Sequence, residues 1–173
     1  MVRSERDRTL PTGSRPHLGK QPGVEASASI VKIVILVILY PLMKNRATAI
    51  IVRDGKLLLI HRQKPGRDFY VLPGGGVNLD EGFEEACIRE VKEETGLDVL
   101  ALHLVSRYIT LEKEENYYFT QVTPAEPVLG GAEAKRQSPA DSYTLVWVEA
   151  AQLENLNLLP GVARRICLEI LQK

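Results

Sequence analysis

Asp80–Thr95 reads as an amphipathic helix with the wrong residues on its apolar face. Asp80 can cap it, Glu81 and Glu84 suit its positive N-terminal end, and Gly96 stands where a C-terminal glycine belongs. At about 100° per residue, Phe83, Ala86, Cys87 and Val91 share one arc that has to face a core. Glu90 and Glu94 fall in the middle of that arc and Glu93 at its edge, where packing alone would select Leu or Val. An unpaired buried carboxylate costs several kcal/mol, and two acids one turn apart repel each other. Arg89 brings one positive charge against three negative ones. A divalent cation that prefers oxygen ligands would compensate the rest. The competing reading is a solvated acidic face bordering the core.

The surroundings favour the cation. From Asp80 to Asp98 there are eight acids and two bases, Arg89 and Lys92. Immediately ahead stand Gly74, Gly75 and Gly76, which let backbone groups approach a ligand closely beside a helix N-terminus that attracts anions. A tight strand-to-helix turn is the plainer use of the same glycines. Two other glycine motifs are excluded: no Gly-Lys-Ser/Thr follows, and G-x-G-x-x-G fails at Leu79.

With 22 Lys+Arg against 22 Asp+Glu in 173 residues, the formal net charge is zero, which argues against a general nucleic-acid or membrane-surface binder. The length suits one domain with a tail, and a body of about 130–150 residues can bury its own core without metal or disulfides. Cys87 and Cys167 are too few for a disulfide scaffold and fit a reducing, cytoplasmic setting. Residues 1–42 form an N-terminal extension. Its first 29 residues are rich in Arg, Pro and Gly and are expected to be disordered. An apolar segment, 30–43, follows. Only 11 residues separate Lys32 from Lys44, against the roughly 20 that a bilayer core requires, so stable membrane insertion is not expected. That segment reads as an extra strand, as a membrane-touching or partner-binding piece, or, as we favour, as an extension the domain does not need.

Residues 43–173 form the domain. Ala47–Val52 and Lys56–Arg62 are β-rich runs around Asp54-Gly55, a strong hairpin signal. Phe69–Leu72, Asp98–Thr110, Asn116–Val122 and Ser142–Val148 read as further strands, 124–141 as a loop and Gly161–Gln172 as a terminal helix. The order implies an α/β fold with a mixed sheet covered by helices.

Gly75, Glu81 and the run Arg89-Glu90-Val91-Lys92-Glu93-Glu94-Thr95-Gly96-Leu97 together resemble the signature of the Nudix hydrolases, G-x5-E-x7-R-E-U-x-E-E-x-G-U, at every fixed position. Leu72-Pro73-Gly74-Gly75-Gly76 resembles the family's lead-in, and about residues 43–172 are covered. The resemblance implies an α/β/α sandwich that uses Mg²⁺ or Mn²⁺ to cleave a nucleoside diphosphate linked to another moiety. Glu90 and Glu94 would be the principal metal ligands. Glu93 would be a further ligand or would orient water, and the Gly74 carbonyl would complete the set. Glu81, Gly75 and Arg89 would steady the loop and the carboxylates.

Glu90 and Glu93 are the candidate bases, and Glu112, Glu114 and Glu115 are loop alternatives for which a solvated turn is the better expectation. His61, Arg62, Lys64 and Arg67 could reach substrate phosphates, against the plainer reading of a solvated strand end. Tyr117, Tyr118 and Phe119 could stack a base, against the favoured reading of core packing, and Cys87 is expected as a small buried hydrophobe. Glu133, just after Gly130-Gly131, could hold a basic residue. By elimination the substrate is a nucleoside triphosphate, including a damaged one. The alternatives are ADP-ribose or another nucleotide sugar, or a non-catalytic nucleotide-binding module. The partner is a small nucleotide rather than a nucleic acid, and a homodimer is an open option.

Overall fold

The computed structural model describes Ile30 and residues 44–110 and 112–172. Ile30 apart, the extension 1–42 lies outside the described residues, as does Met43, and the three readings of the apolar segment go with it. The described body consists of β1 (Arg46–Arg53), β2 (Lys56–Lys64), β3 (Arg67–Val71), β4 (Gly74–Gly76), α1 (Phe83–Thr95), β5 (Val99–Ile109), β6 (Glu114–Val122), α2 (Gly131–Arg136), β7 (Ser142–Glu149), α3 (Ala150–Leu153), β8 (Leu158–Leu159) and α4 (Gly161–Leu171).

The sheet path runs β5-β6-β1-β2-β3-β8, with β4 added to β1 and β7 to β2. It is mixed, as expected: β1 pairs β6 in parallel and β3 pairs β8 in parallel, while the other pairings are antiparallel. Asp54 and Gly55 both take positive φ, 50° and 72°, which a two-residue hairpin between right-twisted strands requires. β1 and β2 share only the pairs Val52↔Leu57 and Arg53↔Lys56, so beyond the turn they part into two layers. One layer carries β4, β1, β6 and β5, and the other β3, β2, β7 and β8.

The middle stretches of β1 and β2 are buried on both faces, so they read as continuous apolar runs rather than alternating ones. Ala47, Ala49, Ile51, Leu58 and Tyr118 pack with Ala86, Cys87 and Val91 of α1. Ile50, Leu57, Leu59 and Tyr117 pack with Ala163, Ile166 and Cys167 of α4. Two helices on opposite sides make the expected α/β/α sandwich. Tyr117 and Tyr118 sit in opposite cores, and the Cys87 thiol is pushed up to about 12 by burial, which removes it as a nucleophile.

Four local expectations change. The helix starts at Phe83 rather than Asp80: Gly82 is its cap, and the Glu85 carboxylate accepts from the Gly82 amide at 2.8 Å. Gly74–Gly76 is a strand in its own right, because β1 offers it a pairing edge. The expected loop 124–141 contains α2. Strand β6 begins at Glu114, so Glu114 and Glu115 are strand residues, 9% and 1% exposed, and not parts of a solvated turn.

Candidate active site

The glycines are needed because the β4 backbone meets the β1 backbone and two carboxylates there. Gly74 has φ +143°, and a Cβ on it would lie 2.3 Å from the Ala47 carbonyl oxygen. A Cβ on Gly75 would lie 2.1 Å from Oε1 of Glu90, so the Glu90 carboxylate rests directly on that residue. One turn further along α1, Glu94 Oε2 accepts from the Gly74 amide at 2.8 Å. The Arg46 guanidinium donates to the Gly74 carbonyl. The two glutamates on the apolar arc therefore lie on glycine backbone, whose place is fixed by its pairing with β1.

Arg89 binds this arrangement together. Its Nε and Nη2 donate to the Glu81 carboxylate at 3.0 and 2.6 Å, Nη2 also to the Gly76 carbonyl at 2.9 Å, and Nη1 to Glu90 at 2.7 Å. Glu81 in turn accepts from the Asn78 amide at 2.8 Å. The fork shape of guanidinium is what lets one side chain tie loop, strand and helix together. With Arg89 as the main cause and the Asn78 amide second, the Glu81 carboxyl is held down to about 2, and Arg89 itself is raised by Glu81.

Glu94 is the group under electrostatic load. It is 6% exposed, and burial is the main cause that pushes its carboxyl up to about 8, with Glu133 and Glu90 adding repulsion. Glu133 comes from α2. Gly130 and Gly131 bring that element onto the end of α1: the Gly130 amide donates to the Glu94 carbonyl at 3.0 Å, and a Cβ on Gly130 would lie 2.3 Å from the Glu93 carbonyl oxygen. Glu133 is thus a fourth acid whose field reaches the site. The glycine pair ahead of it was the only trace of this in the sequence. Glu93 stands at the rim, 52% exposed, with Arg89 at 3.5 Å.

These acids fit a divalent cation by donor chemistry, all being hard oxygens, and by Glu94, a buried carboxylate that among the described residues accepts a hydrogen bond from one amide alone. As the side chains stand, no three acids among the described residues converge on one point. Glu90 and Glu93 are turned to Arg89, and the Gly74 carbonyl to Arg46.

The comparison with known proteins decides what this arrangement belongs to. The NUDIX domain profile matches residues 43–167. The chain belongs to the Nudix hydrolase family. Members of this family are pyrophosphohydrolases that act on phosphoric anhydrides. An ADP-ribose pyrophosphatase from Methanocaldococcus jannaschii is 35% identical over 115 residues, 66% of this chain and 63% of that one. A Bacillus subtilis protein provisionally named an 8-oxo-dGTP diphosphatase is 42% identical over 76 residues, 42% of this chain and 46% of that one. Each match spans less than two-thirds of the relative's length. A crystal structure of a MutT NUDIX hydrolase from Burkholderia pseudomallei superposes with a TM-score of 0.53 at 30% identity, covering 73% of this chain and 95% of that one.

Outside the Nudix box the candidate substrate residues fare differently. Arg62 is committed elsewhere: it forms a two-pronged pair with Asp141 at 2.9 and 2.7 Å and lies over the Tyr143 ring at 4.7 Å. Lys64 and Arg67 are paired across the β2–β3 hairpin, and Arg67 lies over Phe69 at 4.9 Å. His61 stacks on Tyr70 and meets Asp68 at 2.8 Å. Among the described residues none of the four forms a hydrogen bond or ion pair with the box acids. Arg46, which sequence reading missed, does reach the Gly74 carbonyl, immediately ahead of the Nudix box. Beside it opens a cleft of about 260 Å³, walled by Val71, Leu72, Leu159 and Pro160 and floored by Thr48 and Glu115.

Proposed function

We propose that this chain hydrolyses a pyrophosphate bond in a nucleoside diphosphate linked to another moiety, with a nucleoside triphosphate, including a damaged one, as the favoured class. The observation that carries this is Glu94: a carboxylate buried beside Glu90 and within reach of Glu133, on glycine backbone, with no ion pair of its own among the described residues. Glu90, Glu94 and the Gly74 carbonyl would hold Mg²⁺, or Mn²⁺ in its place, with Glu93 as the further ligand at the rim. When bound, the metal would neutralise the diphosphate and lower the pKa of water. Glu90 or Glu93 takes the proton from the attacking water. The water oxygen bonds to phosphorus as the bridging P–O bond breaks, and the leaving phosphate oxygen carries off the charge. Arg89, Glu81 and Gly75 keep the carboxylates in place, and Arg46 supplies positive charge at the boundary of acids and cleft. Lys64 and Arg67 stay as secondary candidates for contacts to the far end of the substrate, and Arg62 would first have to leave Asp141. A cytoplasmic location is supported by the two buried free thiols.

The second reading, ADP-ribose or another nucleotide sugar, is supported by the archaeal relative's name. Incubating the chain with Mg²⁺, ¹⁸O-labelled water and a panel of nucleoside triphosphates and nucleotide sugars tests both. We expect turnover with the label in a phosphate product, and E94Q should lower kcat by orders of magnitude. An intact fold that turns over nothing on the panel, or an E94Q variant with parental kcat, overturns the proposal.

A further inference from the structure

The floor of the 260 Å³ cleft is a carboxylate that the Nudix chemistry does not use. Glu115 is 1% exposed, yet two cations surround it: Lys113 Nζ donates to Oε2 at 2.7 Å and Arg46 Nε stands 3.8 Å from Oε1. Thr48 Oγ1 donates to Oε1 at 3.2 Å. A glutamine would keep the threonine bond and be easier to bury, and Arg46 and Lys113, 39% and 36% exposed, could turn to water in its place. A carboxylate offers about four acceptor positions. Thr48 takes one on the first oxygen and Lys113 one on the second, and among the described residues no further hydrogen bond is formed to either oxygen, although the buried Tyr117 hydroxyl faces the group. Two acceptors side by side, in a cleft also lined by Val71, Leu72, Leu159 and Pro160, match two parallel N–H donors.

We infer that Glu115 is the specificity-determining residue of this chain and that it selects a base presenting a ring N–H next to an exocyclic amino group, the Watson–Crick edge of guanine. Adenine, cytosine, uracil and hypoxanthine each present only one of those two donors. The placement agrees with the chemistry. Arg46 bridges the Gly74 carbonyl and the Glu115 side, so a base seated on Glu115 leads its diphosphate past Arg46 toward Glu90 and Glu94. The inference rests on the hydrolysis proposed above, because the cleft is assigned to the nucleoside through its position beside those acids.

The test uses hypoxanthine, which differs from guanine only by the missing amino group. Titration of the full chain with GMP and IMP in EDTA reads the cleft without hydrolysis, and kcat/KM for GTP against ITP with Mg²⁺ reads it during hydrolysis. A donor lost from a charged acceptor corresponds to about tenfold or more, so wild type should prefer guanine by at least that factor in both measurements. E115Q, checked for fold by circular dichroism, should bring both ratios to within about threefold of one. Equal binding of GMP and IMP by wild type overturns the inference without recourse to any variant, and is the result expected if Glu115 instead binds a sugar diol. An unchanged preference in E115Q overturns it equally. A chain that prefers GMP in EDTA yet hydrolyses no nucleotide would refute the proposed activity and leave the role of Glu115 standing.

Discussion

Replacing Glu94 by glutamine should make the metal-free protein more stable while removing its activity. The Glu94 carboxyl rises from 4.5, its ordinary value, to about 8, chiefly because it is 6% exposed and faces Glu133 and Glu90. Between those two values the folded chain holds a proton that the unfolded chain has released, so stability falls as the pH rises through that window. The contribution is fully present below 4.5 and lost above about 8. At about 1.4 kcal/mol per unit, it is on the order of 5 kcal/mol. The amide of E94Q can still accept from the Gly74 N–H and has nothing to ionise. Thermal unfolding in EDTA at pH 5 and pH 9 should therefore show the Tm of E94Q gaining on wild type by roughly 10–15 °C between the two conditions, at about 3 °C per kcal/mol for a domain of this size. Mg²⁺ at pH 9 should raise the wild-type Tm and leave E94Q unmoved. An E94Q advantage that is the same at both pH values would show that the carboxylate is not electrostatically strained, and the case for a bound cation would lose its main support.

Gly75→Ala places a methyl group where the Glu90 carboxylate lies, 2.1 Å away, and should lower kcat/KM by about 100-fold or more with little loss of fold; parental kinetics would contradict the packing of Glu90 on this glycine. Arg89→Ala leaves Glu81, Glu90 and the Gly76 carbonyl without their shared donor and should cost about 2–3 kcal/mol in urea unfolding, with Arg89→Lys recovering less than half because an ammonium cannot span the same partners. Glu133→Gln removes one source of repulsion on Glu94 and should narrow the pH 9 gap between wild type and E94Q in EDTA; no narrowing would place Glu133 outside the site's field. A chain beginning at Met43 should keep full kcat, and a folded but inactive product would give the extension 1–42 a role in turnover.

The helix that carries the Nudix box was legible because helical periodicity alone puts Glu90 and Glu94 beside Ala86, Cys87 and Val91, and the structure places all five on the inner side. The glycines were legible as a close approach, but what approaches was not: the carboxylate over Gly75 comes from fifteen residues away and only exists once α1 packs on β4. Glu114 and Glu115 were misread because an acidic run beside a turn looks solvated. They are drawn into the sheet by the parallel pairing of β6 with β1, in which Arg46 meets Glu115, and no local pattern encodes that partner. Arg46, Glu133 and the cleft belong to the same class, since each depends on elements distant in sequence. Arg62 illustrates the converse. A basic residue at a strand end suggests a phosphate contact, but Asp141, 79 positions later, has already claimed it.

In the proposed reaction Glu90 and Glu94 face inward to hold divalent metal against a diphosphate. Crystals of the chain grown with Mn²⁺ and a non-hydrolysable nucleoside triphosphate analogue test it most directly, by anomalous scattering at the manganese edge. A peak bonded to both carboxylates and lost in the E90Q/E94Q variant is the predicted result. A well-ordered analogue with no manganese at those side chains, or a peak that survives the double substitution, would contradict it.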